Sequence, residues 1–98
     1  MIKPRNPFGV NPQGNCPVQA EGHLSGGEYY YFRSRGRQWG LDICATEADW
    51  NAKKYLFTDG ERNAFIWPHG GWISRSKAIA LATKAIRKYY DGVRNEVT

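Results

Sequence analysis

Two cysteines, two histidines and one methionine are all that this 98-residue chain offers to thiol or metal chemistry. Cys16 and Cys44 are too few for a disulfide framework and lack a C-x-x-C spacing, so a reduced protein of the cytoplasm is the simpler expectation. His23 and His69 fall in different segments, and no H-E-x-x-H, G-x-S-x-G or Walker A pattern occurs. A zinc site needs more His and Cys at close spacing than the chain contains. Neither a metal, a cofactor nor an enzymatic activity is therefore expected. No run approaches the ~20 apolar residues of a membrane span, and residues 1–17 lack the apolar core of a signal peptide. No internal repeat longer than a hairpin is present.

What is abundant is aromatic and positively charged. Aromatic residues make up 14% of the chain, so a few large side chains can fill most of the single core that a domain of this length can build. Fourteen Lys and Arg stand against nine Asp and Glu, a net charge of +5. That bias draws polyanions or an acidic protein face, without deciding between them.

Residues 1–15 are dense in Pro and Asn, including Pro4, Pro7, Pro12, Asn6, Asn11 and Asn15. They read as a flexible arm with Lys3 and Arg5 near its tip. The remainder, 16–98, reads as one α+β domain. Cys16, Val18, Ala20 and Leu24 alternate with Gln19, Glu21 and His23, the pattern of a half-buried strand. Ser25-Gly26-Gly27 turns it into a second strand, Glu28 to Ser34. Arg35-Gly36-Arg37 then turns into a third, in which Trp39, Leu41 and Ile43 alternate with Gly40 and Asp42. Thr46-Glu47-Ala48-Asp49 has the capping pattern of a short helix over 47–53 carrying Trp50. Asp59-Gly60, between Tyr55-Leu56-Phe57 and Ala64-Phe65-Ile66-Trp67, predicts a second hairpin, ended by Pro68. Ser74 is a good N-cap for a final helix over 75–91. Ala78, Ile79, Ala82, Ala85, Ile86 and Tyr89 form its apolar stripe, Lys77, Lys84 and Lys88 its outer side, and Gly92 its stop. The expected architecture is an antiparallel sheet of about five strands, a meander plus a hairpin, covered on one face by the C-terminal helix.

The densest chemistry lies in residues 29–39, which hold five aromatics and three arginines. Strand alternation divides them: Tyr30 and Phe32 point inward with Trp39, and Tyr29, Tyr31, Arg33 and Arg35 point outward beside Arg37. Such a face suits a protein partner, because Tyr and Arg are enriched where binding energy concentrates. It equally suits single-stranded nucleic acid, with bases stacked and phosphates neutralised. A third reading packs the tyrosines under residues 47–55 and leaves the arginines solvated. A second candidate is the loop entering the final helix, where Gly70, Gly71 and Ser74 with Arg75 and Lys77 can offer an anion site; a simple capped turn is the alternative.

Cys16-Pro17-Val18-Gln19-Ala20-Glu21-Gly22, followed by Tyr31-Phe32-Arg33-Ser34-Arg35-Gly36 and Trp39, resembles the first hairpins of a group of small phage, prophage and bacterial proteins. The likeness covers about residues 16–43 and brings no residue roles with it. It implies a mobile-element context, in which small single-domain proteins block a host defence complex by binding, as anti-CRISPR proteins do. Many of those are acidic mimics of nucleic acid, and this basic chain departs from them. The resemblance thus implies an acidic protein face, nucleic acid or a nucleotide-like ligand as partner, in the host cytoplasm if the gene is a phage's. The sequence reading as a whole expects a non-catalytic binding protein for a host protein or nucleoprotein complex, with single-stranded nucleic acid as the alternative. Monomer and homodimer both remain open.

Overall fold

Alternation from Val18 onward resolves into a meander of antiparallel strands, β1 (Val18–His23), β2 (Tyr29–Arg35) and β3 (Gln38–Cys44). The computed structural model describes residues 6–65 and 70–97. A single-turn helix α1 (Glu47–Asn51) follows, then β4 (Phe57–Glu61), a 3₁₀ turn at Gly70–Trp72 and the long helix α2 (Arg75–Val97). The sheet has four strands in the order β1-β2-β3-β4. The fold is α+β, as the sequence predicts.

Register assigns every strand residue to a face. On the inner side lie the rows Val18–Ser34–Trp39–Glu61, Ala20–Phe32–Leu41–Asp59 and Gly22–Tyr30–Ile43–Phe57. Helix α2 covers this face, and its alanines at 78, 82 and 85 are fully buried together with Ile86. Small residues there let the helix approach the sheet while Phe32, Leu41 and Ile43 supply the volume. Each of those large side chains contributes roughly 1.5–3 kcal/mol by leaving water. Beyond this seam, Tyr89 packs on Phe57 at 5.7 Å between ring centroids and donates its hydroxyl to Glu28 at 2.8 Å. Lys88 reaches Asp59 at 3.4 Å across the same seam.

Three expectations are corrected. Asp59-Gly60 is no turn: it lies inside β4, with Asp59 opposite Leu41 and Gly60 opposite Gly40. A Cβ on Gly60 would run into the Trp39 carbonyl oxygen, so glycine is required here for close strand approach and not for a hairpin. Ala64 and Phe65 accordingly form no fifth strand, Ala64 instead donating its N–H to the Arg37 carbonyl at 2.9 Å; Ile66, Trp67, Pro68 and His69 lie outside the described residues. Nor does Gly92 stop α2, which runs on to Val97, because a helix ends at glycine only where the chain adopts a positive φ, and Gly92 does not. The third correction is the arm. From Asn6 onward it is docked: the Asn6 amide side chain brackets Val10 through both its N–H and its carbonyl at 2.9 Å. Val10 is fully buried, and Phe8 stacks on Tyr90 at 5.7 Å. Gln13 extends the sheet beyond β1 by exchanging backbone hydrogen bonds with Gln19. Lys3 and Arg5 lie outside the described residues. No helix among the described residues is long and apolar enough to cross a membrane.

Two glycines give opposite expectations that equilibrium urea denaturation can check. Gly60→Ala destabilises by about 1–3 kcal/mol, the usual range for forcing atoms into occupied space. Gly92→Ala stabilises by about 1 kcal/mol, since an added methyl there meets nothing and helix propensity favours alanine.

Candidate functional site

Among the described residues, α1 is the one helix that lies over the outer face of the sheet. Thr46 caps that helix by accepting from the Asp49 N–H at 3.0 Å, which aims Trp50 back over the strands. The indole lies against Tyr31 at 4.7 Å and Tyr29 at 6.1 Å between centroids, and its N–H donates to Asp42 Oδ2 at 3.2 Å. Beneath it run the outer rows Glu21–Tyr31–Asp42–Thr58 and His23–Tyr29–Cys44. Tyr29 is only 3% exposed and donates its hydroxyl to Glu21. Burial foremost, then that hydrogen bond to a carboxylate, pushes the Tyr29 phenol well above its ordinary value. Cys44 is fully buried beside it, and burial raises its thiol too, assisted by the charges of Asp42 and Asp49.

Tyr29 is therefore withdrawn from the proposed contact surface: it is a packing residue of the aromatic cluster under Trp50. Tyr31 is half-buried, its hydroxyl donating to Gln19 at 2.7 Å. The arginines differ. Arg33, Arg35 and Arg62 are exposed, and none of their side chains makes a hydrogen bond or ion pair among the described residues. Arg37 is partly committed, its Nε donating to the Phe65 carbonyl at 3.2 Å.

These residues border an open groove of about 750 Å³ that starts at Trp50 and Tyr31 and runs toward the β2–β3 turn. Its floor is bare at Gly40, which stands beside Arg33 in the row beyond Tyr31–Asp42. There β3 presents backbone where a side chain would otherwise stand. Arg33 and Arg35 rise along β2, and Arg62 follows the end of β4. Arg62 and Gly60 are not among the candidate residues of the sequence because an Asp59-Gly60 turn puts Gly60 outside any strand, whereas it lies in β4 opposite Gly40. Asp42 is the acid at the aromatic end, half-buried. Burial holds its carboxyl above the ordinary aspartate range, and the Trp50 hydrogen bond opposes that shift.

No family model, curated protein or solved structure matches the chain. What the groove can do follows from its own groups. Guanidinium ions offer bidentate hydrogen bonds to carboxylate or phosphate oxygens, two half-covered rings offer a flat apolar edge, and one carboxylate offers acceptors.

The loop before α2 is corrected as an anion site. The Gly70 N–H donates to the Gly36 carbonyl at 2.6 Å, and the Gly71 carbonyl accepts from Cys16 at 2.7 Å. Both glycines are buried, and a Cβ on either would collide with backbone, at Gly36 and Cys16 respectively. Ser74 Oγ caps the Lys77 N–H at 3.0 Å, and Arg75 holds the arm through Asn11 Oδ1 at 2.8 Å and the Pro12 carbonyl at 3.3 Å. The loop is a clasp joining the β2–β3 turn, the start of β1 and the arm. Lys77 remains exposed without a partner among the described residues.

Asp42 gives a signed pH expectation. Its folded-state value is raised, so its contribution favours folding while the carboxyl is protonated and is lost as pH rises through the raised value. Asp42→Asn keeps an acceptor for the indole and removes the charge. Its stability advantage over the parent is absent below about pH 3.9, the ordinary aspartate value, and grows toward neutrality. Asp42→Ala leaves the indole N–H unpaired and costs about 1–3 kcal/mol. Urea midpoints across that pH range measure both.

Proposed function

We propose that the protein is a non-catalytic binding module that seats an anionic segment of a larger partner, a host protein or nucleoprotein complex, in the groove between Trp50 and the β2–β3 turn. The observation that carries this reading is that the side chains of Arg33, Arg35 and Arg62, without partners among the described residues, line one groove whose floor is bare at Gly40. Neutral packing would not call for three guanidinium groups there without carboxylate partners. With Tyr29 buried, Tyr31 and Trp50 are the half-exposed aromatics left on this face beside three exposed arginines, which favours recognition through charge over an aromatic hot spot. The likeness of residues 16–43 to phage-type hairpins supports placing the partner among host complexes that a mobile element would bind. Arg37 also lines the groove, at its rim, while its Nε holds the Phe65 carbonyl.

Charge alone must be separated from a site. Arg33→Ala/Arg35→Ala and Lys84→Ala/Arg87→Ala each remove two positive charges, the first pair from the groove and the second from the exposed side of α2. Fluorescence anisotropy with two probes, poly-L-glutamate and a dT oligonucleotide, is read at low salt. The groove variant weakens binding of the preferred polyanion by about tenfold or more, ~1.4 kcal/mol, while the helix variant stays within about twofold of the parent and both melt normally. Equal losses in the two variants would sink the groove as a site.

A further inference from the structure

Asp42 is out of place in a groove for simple anions. A phosphate or carboxylate chain lying along Arg33 and Arg35 would meet this fixed acceptor at the aromatic end, where it repels anionic oxygen. The fold nevertheless positions it firmly: Asp42 sits between Tyr31 and Thr58 in the sheet and receives the Trp50 indole N–H at 3.2 Å. That bond occupies one direction of Oδ2 and leaves Oδ1 without a hydrogen-bond partner among the described residues. A carboxylate acceptor beside two ring edges, with guanidinium groups further along the same floor, has the layout of a nucleotide site. Bases stack on aromatic rings and present N–H donors to carboxylates, while phosphates take arginine.

Taking the groove reading above as its premise, we infer that the groove holds single-stranded nucleic acid, with a base carrying an exocyclic amino group against Asp42, Tyr31 and Trp50 and the neighbouring phosphates on Arg33, Arg35 and Arg62.

Dimensions agree with this polarity. The Asp42 row and the Arg35–Gln38 pair are four residues apart along β3, about 13 Å at the usual rise of a strand. The base end and the phosphate end are therefore separated along one floor and do not compete. Duplex DNA is a poor fit, since its paired bases hide the edge that Asp42 would read and the groove has no element long enough to enter a major groove. Cytosine and thymine discriminate cleanly, being close in size and equal in charge. Cytosine turns an amino group toward an acceptor where thymine turns a carbonyl, which the carboxylate repels.

The test uses the full chain with dC and dT oligonucleotides of equal length, with poly-L-glutamate as the protein-like polyanion, all by anisotropy over a salt series. The expected result is dC binding about tenfold tighter than dT, with log K falling linearly against log salt. Asp42→Asn, whose amide presents donor and acceptor together, narrows that preference to about twofold. Arg33→Ala/Arg35→Ala weakens both oligonucleotides alike and flattens the salt slope. Equal affinity of the parent for dC and dT overturns the base contact at Asp42 while leaving the groove intact. Binding of poly-L-glutamate but of neither oligonucleotide, lost in the arginine variant, overturns nucleic acid and supports an acidic protein segment. If no polyanion binds at low salt, the groove reading falls as well.

Discussion

The indole of Trp50, donating to Asp42 and lying against Tyr31 and Tyr29, is the contact on which the outer half of this molecule depends. A four-stranded sheet has two faces, and the described residues hold one long helix. Helix α2 goes to the inner face, where the buried volume is. The outer face is left to a five-residue helix, too short to be stable alone, which covers it only as far as one large side chain can reach. Where the indole ends, the aromatic cluster ends and the groove begins. The boundary between packed and open surface is thus set by the reach of Trp50.

The same economy appears at the other end of the sheet. The 3₁₀ turn at Gly70–Trp72 binds the β2–β3 turn and Cys16 through backbone groups alone, and its glycines permit that approach. Arg75 ties the arm to the start of α2. Polar groups that look available in the sequence are thereby committed to holding the chain together, and the arginines on the outer face are not. Their clustering along one floor is what distinguishes the groove from an ordinary basic surface.

Most of the inner face was legible from alternation, because burial on one side of a strand leaves a period of two that no other element shares. Tyr30, Phe32, Trp39, Leu41 and Ile43 fall where that period puts them. The outer face was legible only as a set of residues. Alternation says that Tyr29 and Tyr31 share a side with Arg33, but whether a tyrosine there is covered depends on a partner in another element. The capping residue Thr46 and the position of Trp50 could be read locally, and the contact from Trp50 to Asp42 could not. Gly60 misled for a related reason. Asp-Gly is a strong hairpin signal when its neighbours are strands of one pair, and here the glycine answers to the Trp39 carbonyl on β3. Gly92 and the arm repeat the lesson: a helix continues through glycine when nothing turns it, and a Pro/Asn-rich segment docks when one residue, Val10, finds the core.

Amide and indole NMR shifts during titration with a dC oligonucleotide show directly whether binding runs along the floor between Trp50 and the β2–β3 turn. The perturbed signals are expected to be the Trp50 indole N–H and the amides of Arg33, Gly40 and Arg62, with those of Lys84 and Arg87 on α2 unmoved. Shifts confined to α2, or spread evenly over every basic residue, would contradict binding there.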